Sequence, residues 1–235
     1  MSCVARCVRR PWERIVPWLV PVLLLAAPVF TFWAGTIPAD NANQAWAAEA
    51  PGAAASSSSA QRPKNRPASI RAIAARLDIG AGDVVADIGA GKGGDTWVFA
   101  DIVGSTGTVY SEEITENQVK SLKAEAEKQK LTQVRPVLGR ADSPGLPAAS
   151  VDLAYMRLVY HHVSKPREML RGIWQTLKPG GHFVVVDRLP GTLRDWVPRE
   201  QRASKHFWLA ETTVVREARE EGFRYVACAD ELCES

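Results

Sequence analysis

From Ser69 onward, short apolar runs alternate with stretches whose apolar residues recur every three or four positions, which predicts strands alternating with amphipathic helices. Ser69 is placed to cap a helix carrying Ile70, Ile73, Ala74 and Leu77 on one face, and Gly80 and Gly82 end it. Asp83-Val84-Val85-Ala86-Asp87-Ile88 closes on a glycine-rich turn, as a buried first strand would. Gly107–Ser111 predicts a second strand, and Thr115 with Gln118 forms a capping box that opens a helix to about Lys130. Val134–Leu138 and Val151–Met156 predict the third and fourth strands. Ser164 with Pro166 starts a helix to about Leu177, which Lys178-Pro179-Gly180-Gly181 breaks before a fifth strand at His182–Asp187. A helix from about Thr212 stops at Gly222, and Phe223–Ala229 predicts a sixth strand.

Such an alternation predicts an α/β fold: a doubly wound, mostly parallel sheet covered on both faces. Right-handed crossovers leave the carboxyl ends of the strands on one edge, where ligands bind.

The front of the chain has another character. No charged residue lies between Ile15 and Ala39, a basic flank precedes this stretch, and Ala45-Trp46-Ala47 offers small residues at the positions a signal peptidase reads. Residues 1–47 therefore read as a cleaved signal or an uncleaved membrane anchor, with membrane association through residues 15–37. Pro17, Pro21 and Pro28 weaken a straight helix there, and Pro11 weakens a twin-arginine reading of Arg9-Arg10. Residues 48–68 read as a flexible linker, which leaves 69–235 as the folded domain. The basic flank stays inside and the rest crosses, so the domain is expected to be exported to the periplasm or tethered at the membrane.

The net charge of +3 comes wholly from Arg6, Arg9, Arg10 and Arg14 against Glu13. The remainder balances 25 basic against 25 acidic residues, which argues against nucleic acid as the partner. Cys3 with Cys7, and Cys228 with Cys233, lack CxxC spacing and nearby histidines, so no metal site is expected and free thiols are. Export would make a Cys228–Cys233 disulfide possible.

Candidate chemistry gathers at the strand tips. Gly89, Gly91, Gly93 and Gly94 follow the first strand, where a side chain would block the approach of a ligand to the backbone. The turn also satisfies the dinucleotide pattern GxGxxG, but Asp87 at the strand tip suits a ligand bearing an ammonium and would repel a pyrophosphate. Of Glu112 and Glu113 after the second strand, one is expected to face solvent, and Glu113 is placed to accept the hydroxyls of a ribose. Asp142 could accept the exocyclic amino group of adenine, or be a turn residue before Ser143-Pro144-Gly145.

In order, Asp87-x-Gly89-x-Gly91-x-Gly93, the acid after strand two, Ala141-Asp142, Leu146-Pro147, Val151-Asp152-Leu153 and Leu177-Lys178-Pro179-Gly180-Gly181 resemble the motif series of class I S-adenosylmethionine-dependent methyltransferases. The resemblance covers about Ser69 to Ala229 and implies a Rossmann-like methyltransferase fold with S-adenosylmethionine as cofactor. It implies that Asp87, Gly89, Ala90, Gly91 and Gly93 hold the methionine end, Glu113 the ribose, and Ala141 and Asp142 the adenine, with Arg157 also lining the cofactor site. Such domains finish on an antiparallel seventh strand; here the sequence stops a few residues past strand six, so that strand is expected to be missing.

The same resemblance turns Arg157-Leu158-Val159-Tyr160-His161-His162 toward the transferring methyl group. His161 or His162 could be the base that takes a proton from the acceptor, or one could cap the next helix while the other packs beneath it. Tyr160, Arg188 and His206 are candidate substrate contacts. The aromatic stretch 188–210 could form a lid over the acceptor or pack as an extra helix. Without an Asn-Pro-Pro-Tyr or Asp-Pro-Pro-Tyr string or a Pro-Cys nucleophile, a small-molecule acceptor outranks DNA. The competing readings are an NAD-dependent oxidoreductase and an inactive cofactor-binding module.

Overall fold

The computed structural model describes residues 3–9, 65–188, 209–229 and 232–233. They belong to one compact unit. In chain order the unit contains β1 (Cys3–Arg9), α1 (Arg66–Arg76), β2 (Val84–Ile88), α2 (Gly94–Val103), β3 (Thr108–Glu113) and α3 (Glu116–Lys128). Then follow β4 (Val134–Leu138), β5 (Val151–Arg157), a 3-10 turn at Tyr160–His162, α4 (Pro166–Thr176), β6 (Leu177–Arg188), α5 (Glu211–Glu220) and β7 (Arg224–Cys228).

The strands form one sheet in the order β4-β3-β2-β5-β6-β1-β7. The five strands from β4 to β6 in that order are parallel. Neighbouring residues of a strand point to opposite faces, and both faces are buried. Val85, Leu153, Tyr155 and Val184 pack with Ile70, Ile73, Phe99 and Val103 of α1 and α2. Ala86, Ala154, Met156 and Val185 pack with Leu170 and Ile173 of α4 and Val214 and Ala218 of α5. This is why the strands read as unbroken apolar runs.

Several boundaries differ from expectation. Helix α1 starts earlier than Ser69, because the Asn65 side chain caps it by accepting from the Ala68 amide at 3.0 Å; Ser69 is buried inside the helix. Residues 65–68 thus belong to the domain and not to a linker. Strand β3 runs two residues beyond Ser111, carrying Glu112 and Glu113 into the ladder with β4 and β2. Thr115 does cap α3, accepting from the Gln118 amide. Ser164, in contrast, makes no cap: Lys165 stands at the N-cap of α4 and supplies no side-chain bond.

Lys178–Gly181 bulges from a continuous β6, since Leu177 lies opposite Val151 while His182 lies opposite Leu153. Lys178 Nζ closes the bulge on Asp152 Oδ2 at 2.7 Å, the same oxygen that accepts the Val84 amide at 2.9 Å.

The expected absence of a seventh strand is corrected. The antiparallel place between β6 and β7 is filled from the other end of the chain, by β1, with Cys3 opposite Arg188 and Arg9 opposite both His182 and Arg224. The residues read as the basic flank of a targeting segment thus contribute a strand to the sheet. Among the described strands, β1 is the only one to which β7 pairs. Among the described residues no helix is long and apolar enough to cross a membrane. The apolar stretch 15–37, the small residues near 47 and His206 lie outside the described residues.

Candidate active site

The turn from β2 to α2 is held from beneath by β3. The amides of Gly89 and Ala90 donate to the Glu112 carbonyl at 3.1 and 3.0 Å, and the Gly91 amide donates to Glu113 Oε1 at 2.6 Å. Gly89, Gly91 and Gly93 all have positive φ, at 72°, 60° and 80°, a region that favours glycine. Their missing side chains serve different purposes. A Cβ on Gly89 would lie 2.5 Å from a methyl of Val159, and one on Gly93 would lie 2.3 Å from the Trp97 ring. A Cβ on Gly91 would meet nothing within 4 Å. The sequence-based reason for all three glycines, ligand approach, therefore applies to Gly91; packing demands the other two. Beside Gly91 and Lys92 opens a cleft of about 710 Å³, bounded also by Trp97 and by Gln118, Ser121 and Leu122 of α3.

Three carboxylates crowd the tips of β2 and β3. Asp87, Glu112 and Glu113 are 2%, 1% and 6% exposed, so neither glutamate faces solvent as expected of one of them. Thr96 Oγ1 donates to Asp87 Oδ2 at 2.6 Å. Burial, reinforced by the nearby charge of Asp95, pushes the Asp87 carboxyl up to about 7. Burial also pushes Glu112 up to about 8, against the pull of the Gly89 amide, which donates to its Oε2 at 3.0 Å. A Cβ on Gly139 would fall 1.8 Å from Glu112 Oε1, so the bare backbone after β4 makes room for this acid. Glu113 accepts from Gly91 and, at 3.2 Å, from Ile114.

The guanidinium of Arg66 sits by Gly94 and is ion-paired to the buried carboxylate of Asp95 in the first turn of α2. Arg66, Asp95 and Thr96 had no signal in the sequence, because a helix before the first strand can reach the glycine turn only through the fold.

Across the turn, Ile114 and Leu138 are large apolar residues exposed at the tips of β3 and β4. Ala141 is exposed, and Asp142 is a third exposed at its side chain, paired with Arg140 at 3.2 Å and Lys165 at 3.6 Å.

On the other side, Arg157 ends β5 and the next residue, Leu158, has a φ of 57° and donates its amide to the Val186 carbonyl at 2.8 Å. This strained step swings Val159 against Gly89 and leads into the 3-10 turn. Tyr160 is not a substrate contact: it is fully buried, its ring lies 6.4 Å from that of Phe183, and its hydroxyl donates to Glu217 Oε2 at 2.8 Å. His161 is 1% exposed, and His162 is exposed with its ring centroid 4.0 Å from that of His161. Nδ1 of His161 lies 2.9 and 3.1 Å from the two oxygens of Asp187, itself buried near the end of β6. Arg188, the last residue of β6, donates its amide to Asp187 at 2.9 Å. Asp187 was not singled out in the sequence, although it stands one residue before the end of its strand, as Asp87 does in β2.

A family profile described as a methyltransferase domain matches residues 86–185, the segment holding the glycine turn, both glutamates and β5. Residues 86–185 are thus a methyltransferase domain of the S-adenosylmethionine-dependent kind. The methyltransferase is similar in fold to an S-adenosylmethionine-dependent methyltransferase from Aquifex aeolicus, at 21% identity over 68% of this chain and 89% of that one, with a TM-score of 0.55. It is also similar to a geranyl diphosphate methyltransferase in complex with S-adenosylmethionine, at 18% identity over 65% and 64% of the two chains, TM-score 0.52. A third likeness is to the [4+2]-cyclase SpnF, at 21% identity over 65% and 56%, TM-score 0.54. At these identities the solved structures establish the fold alone.

The site fits the cofactor of the family. Burial disfavours the charged form of Asp87 in the ligand-free protein, a cationic neighbour would favour it, and the ligand carries an ammonium and a sulfonium. The open face of Gly91 admits it to the backbone, and exposed Ile114 and Leu138 suit the faces of a purine. When bound, S-adenosylmethionine supplies a methyl group on cationic sulfur.

Proposed function

We propose that this methyltransferase methylates a small molecule held at the tips of β5 and β6. In this reading Asp87 and the backbone of Gly89, Ala90, Gly91 and Gly93 hold the methionine end of the cofactor, Glu113 the ribose, and Ala141 and Asp142 the adenine. Arg157 lines the junction between cofactor and acceptor, and Arg188 contacts the acceptor. His161 or His162 takes the acceptor's proton. The observation that carries the reading is the packing of Val159 into the space a side chain on Gly89 would need, which draws the histidine turn against the cofactor turn. In-line transfer asks little of the protein beyond such juxtaposition. The neutral charge balance after Arg14 supports an acceptor other than nucleic acid.

A labelled-methyl assay on cell extract, separated afterwards by size, tests the acceptor class. Label is expected in the small-molecule fraction; label confined to protein or nucleic acid would refute it. Asp87→Ala should abolish S-adenosylmethionine binding by calorimetry while the domain still unfolds cooperatively, and unchanged affinity would remove Asp87 from the site.

We also read the front segment as retained and not cleaved. Cleavage near residue 47 would remove β1, to which β7 pairs, and that pairing supports retention. Sequencing the native N-terminus tests it: a start after residue 47 would overturn it.

A further inference from the structure

We infer that Arg66, reaching from the first turn of α1, takes the α-carboxylate of S-adenosylmethionine, and that its pair with Asp95 makes the site selective for the intact amino-acid end of the cofactor over a decarboxylated form. The inference deepens the placement of the methionine end proposed above and rests on it. Arg66 precedes residues 86–185, so the family match assigns it no role.

The Asn65 cap fixes where α1 begins, and so where the Arg66 side chain leaves the helix. From there the side chain crosses to the glycine turn. A Cβ on Gly94 would lie 3.3 Å from Nη1, 3.4 Å from Cζ and 3.4 Å from Nη2. Distances so nearly equal mean that the guanidinium lies flat over Gly94. Asp95, buried in the first turn of α2, accepts from Nε. Among the described residues Nη1 and Nη2 have no hydrogen-bond or ion-pair partner, and the side chain is 42% exposed. The Nη1–Nη2 edge, whose fork matches a carboxylate, is therefore unengaged while Nε is anchored.

The pair stands in a line of groups that ends at Asp87. Thr96 follows Asp95 and holds Asp87 through its hydroxyl, and the Arg66 charge reaches Asp87, favouring its ionised form. The Trp97 ring packs where a side chain on Gly93 would be, and Trp97 and Gly91 both border the cleft. An acid for the ammonium and a guanidinium for the carboxylate thus flank one turn, as two opposite charges on a single carbon require.

A ligand carboxylate needs such a partner here. Asp87, Asp95, Glu112 and Glu113 crowd the turn, and those that are ionised repel an anionic group. Without Arg66, so acidic a turn would favour the decarboxylated ligand, which has lost its one negative charge. Lys92, the other cation at the turn, is exposed and would give up hydration and rotamer freedom to bind, whereas Asp95 already holds Arg66 in place.

The test is calorimetry on the full chain with two ligands, S-adenosylmethionine and decarboxylated S-adenosylmethionine, which keeps the amine, the sulfonium and the nucleoside. The wild type should bind the carboxylate-bearing ligand at least about tenfold more tightly, as a hydrogen bond between charged groups implies. Arg66→Gln should weaken S-adenosylmethionine about tenfold or more and leave the decarboxylated ligand within about twofold, so that the preference disappears. Arg66→Lys keeps a charge beside Asp95 and should retain only part of the preference, because an ammonium cannot offer two parallel bonds. Arg71→Gln removes the same charge from the same helix, at an exposed pair with Asp101, and should leave the preference as in the wild type.

A wild type indifferent to the carboxylate, or one that prefers the decarboxylated ligand, would overturn the inference. So would an undiminished preference in Arg66→Gln or an equal loss of it in Arg71→Gln. If Arg66→Gln does not fold, an Arg66→Lys protein that keeps the whole preference would overturn it instead. The reading beneath it fails differently: Asp87→Ala binding both ligands as the wild type does would remove the ammonium site and leave the Arg66 comparison intact. A wild type that binds neither ligand would overturn both.

Discussion

Thr96, in the first turn of α2, donates a 2.6 Å hydrogen bond to Asp87 at the tip of β2, with both side chains buried. The bond favours the ionised carboxylate, opposing the burial that pushes it up to about 7. Thr96→Val keeps the shape and removes the donor. A hydrogen bond to a charged group contributes about 1.5–3 kcal/mol, so S-adenosylmethionine affinity at neutral pH should fall about tenfold or more. Calorimetry checks this, and Thr96→Ser should recover most of the loss.

Glu112 and Asp87 give the domain a pH dependence of unusual sign. Both carboxyls titrate higher in the folded protein than their ordinary range, at about 8 and about 7. Between an unfolded value of about 4 and those folded values, the native state holds protons that the unfolded chain has released. Stability should therefore fall as pH rises through this window. The ligand-free protein should melt at a lower temperature at pH about 8.5 than at about 6, and Glu112→Gln should flatten the trend. A profile equally steep in the variant would remove Glu112 as a cause.

Tyr160 tests the distinction between core and site. Tyr160→Phe deletes the bond to Glu217 and leaves the ring packing, so denaturant unfolding should show a loss of about 1–2 kcal/mol. The transfer rate and cofactor affinity should remain within about twofold of wild type, since an error of that size corresponds to less than 0.5 kcal/mol or so.

Strand β1 can be tested without shortening the chain. Val8 pairs with Phe183 on one side and Tyr225 on the other, so its backbone lies between two ladders. Proline there removes a ladder donor in the interior of a sheet. Val8→Pro should destabilise the domain by about 3 kcal/mol and increase hydrogen exchange along β7, whereas an equal change at Gly80, outside the sheet, should not affect β7.

The order of strands and helices was legible in the chain because local periodicity reports burial directly: Val85 and Ala86, or Tyr155 and Met156, are adjacent apolar residues that feed opposite cores. The sequence by itself determined the parallel α/β sheet, the glycine turn and the acids at the tips of β2 and β3. Side-chain environments were less legible. Nothing local distinguishes Tyr160 in the core from His162 in solvent, and nothing local reports that Glu112 is housed by the bare backbone of Gly139, 27 residues away.

Tertiary structure alone decided which segments meet. Residues Cys3–Arg9 and Arg224–Cys228 lie at opposite ends of the chain and pair through backbone groups that every residue carries, so no side-chain pattern announced the match. His161, in the turn after β5, and Asp187, near the end of β6, likewise come together only because β5 and β6 are neighbours in the sheet. Local sequence dictates what each element can bury, while long-range pairing dictates which polar groups share the space left over.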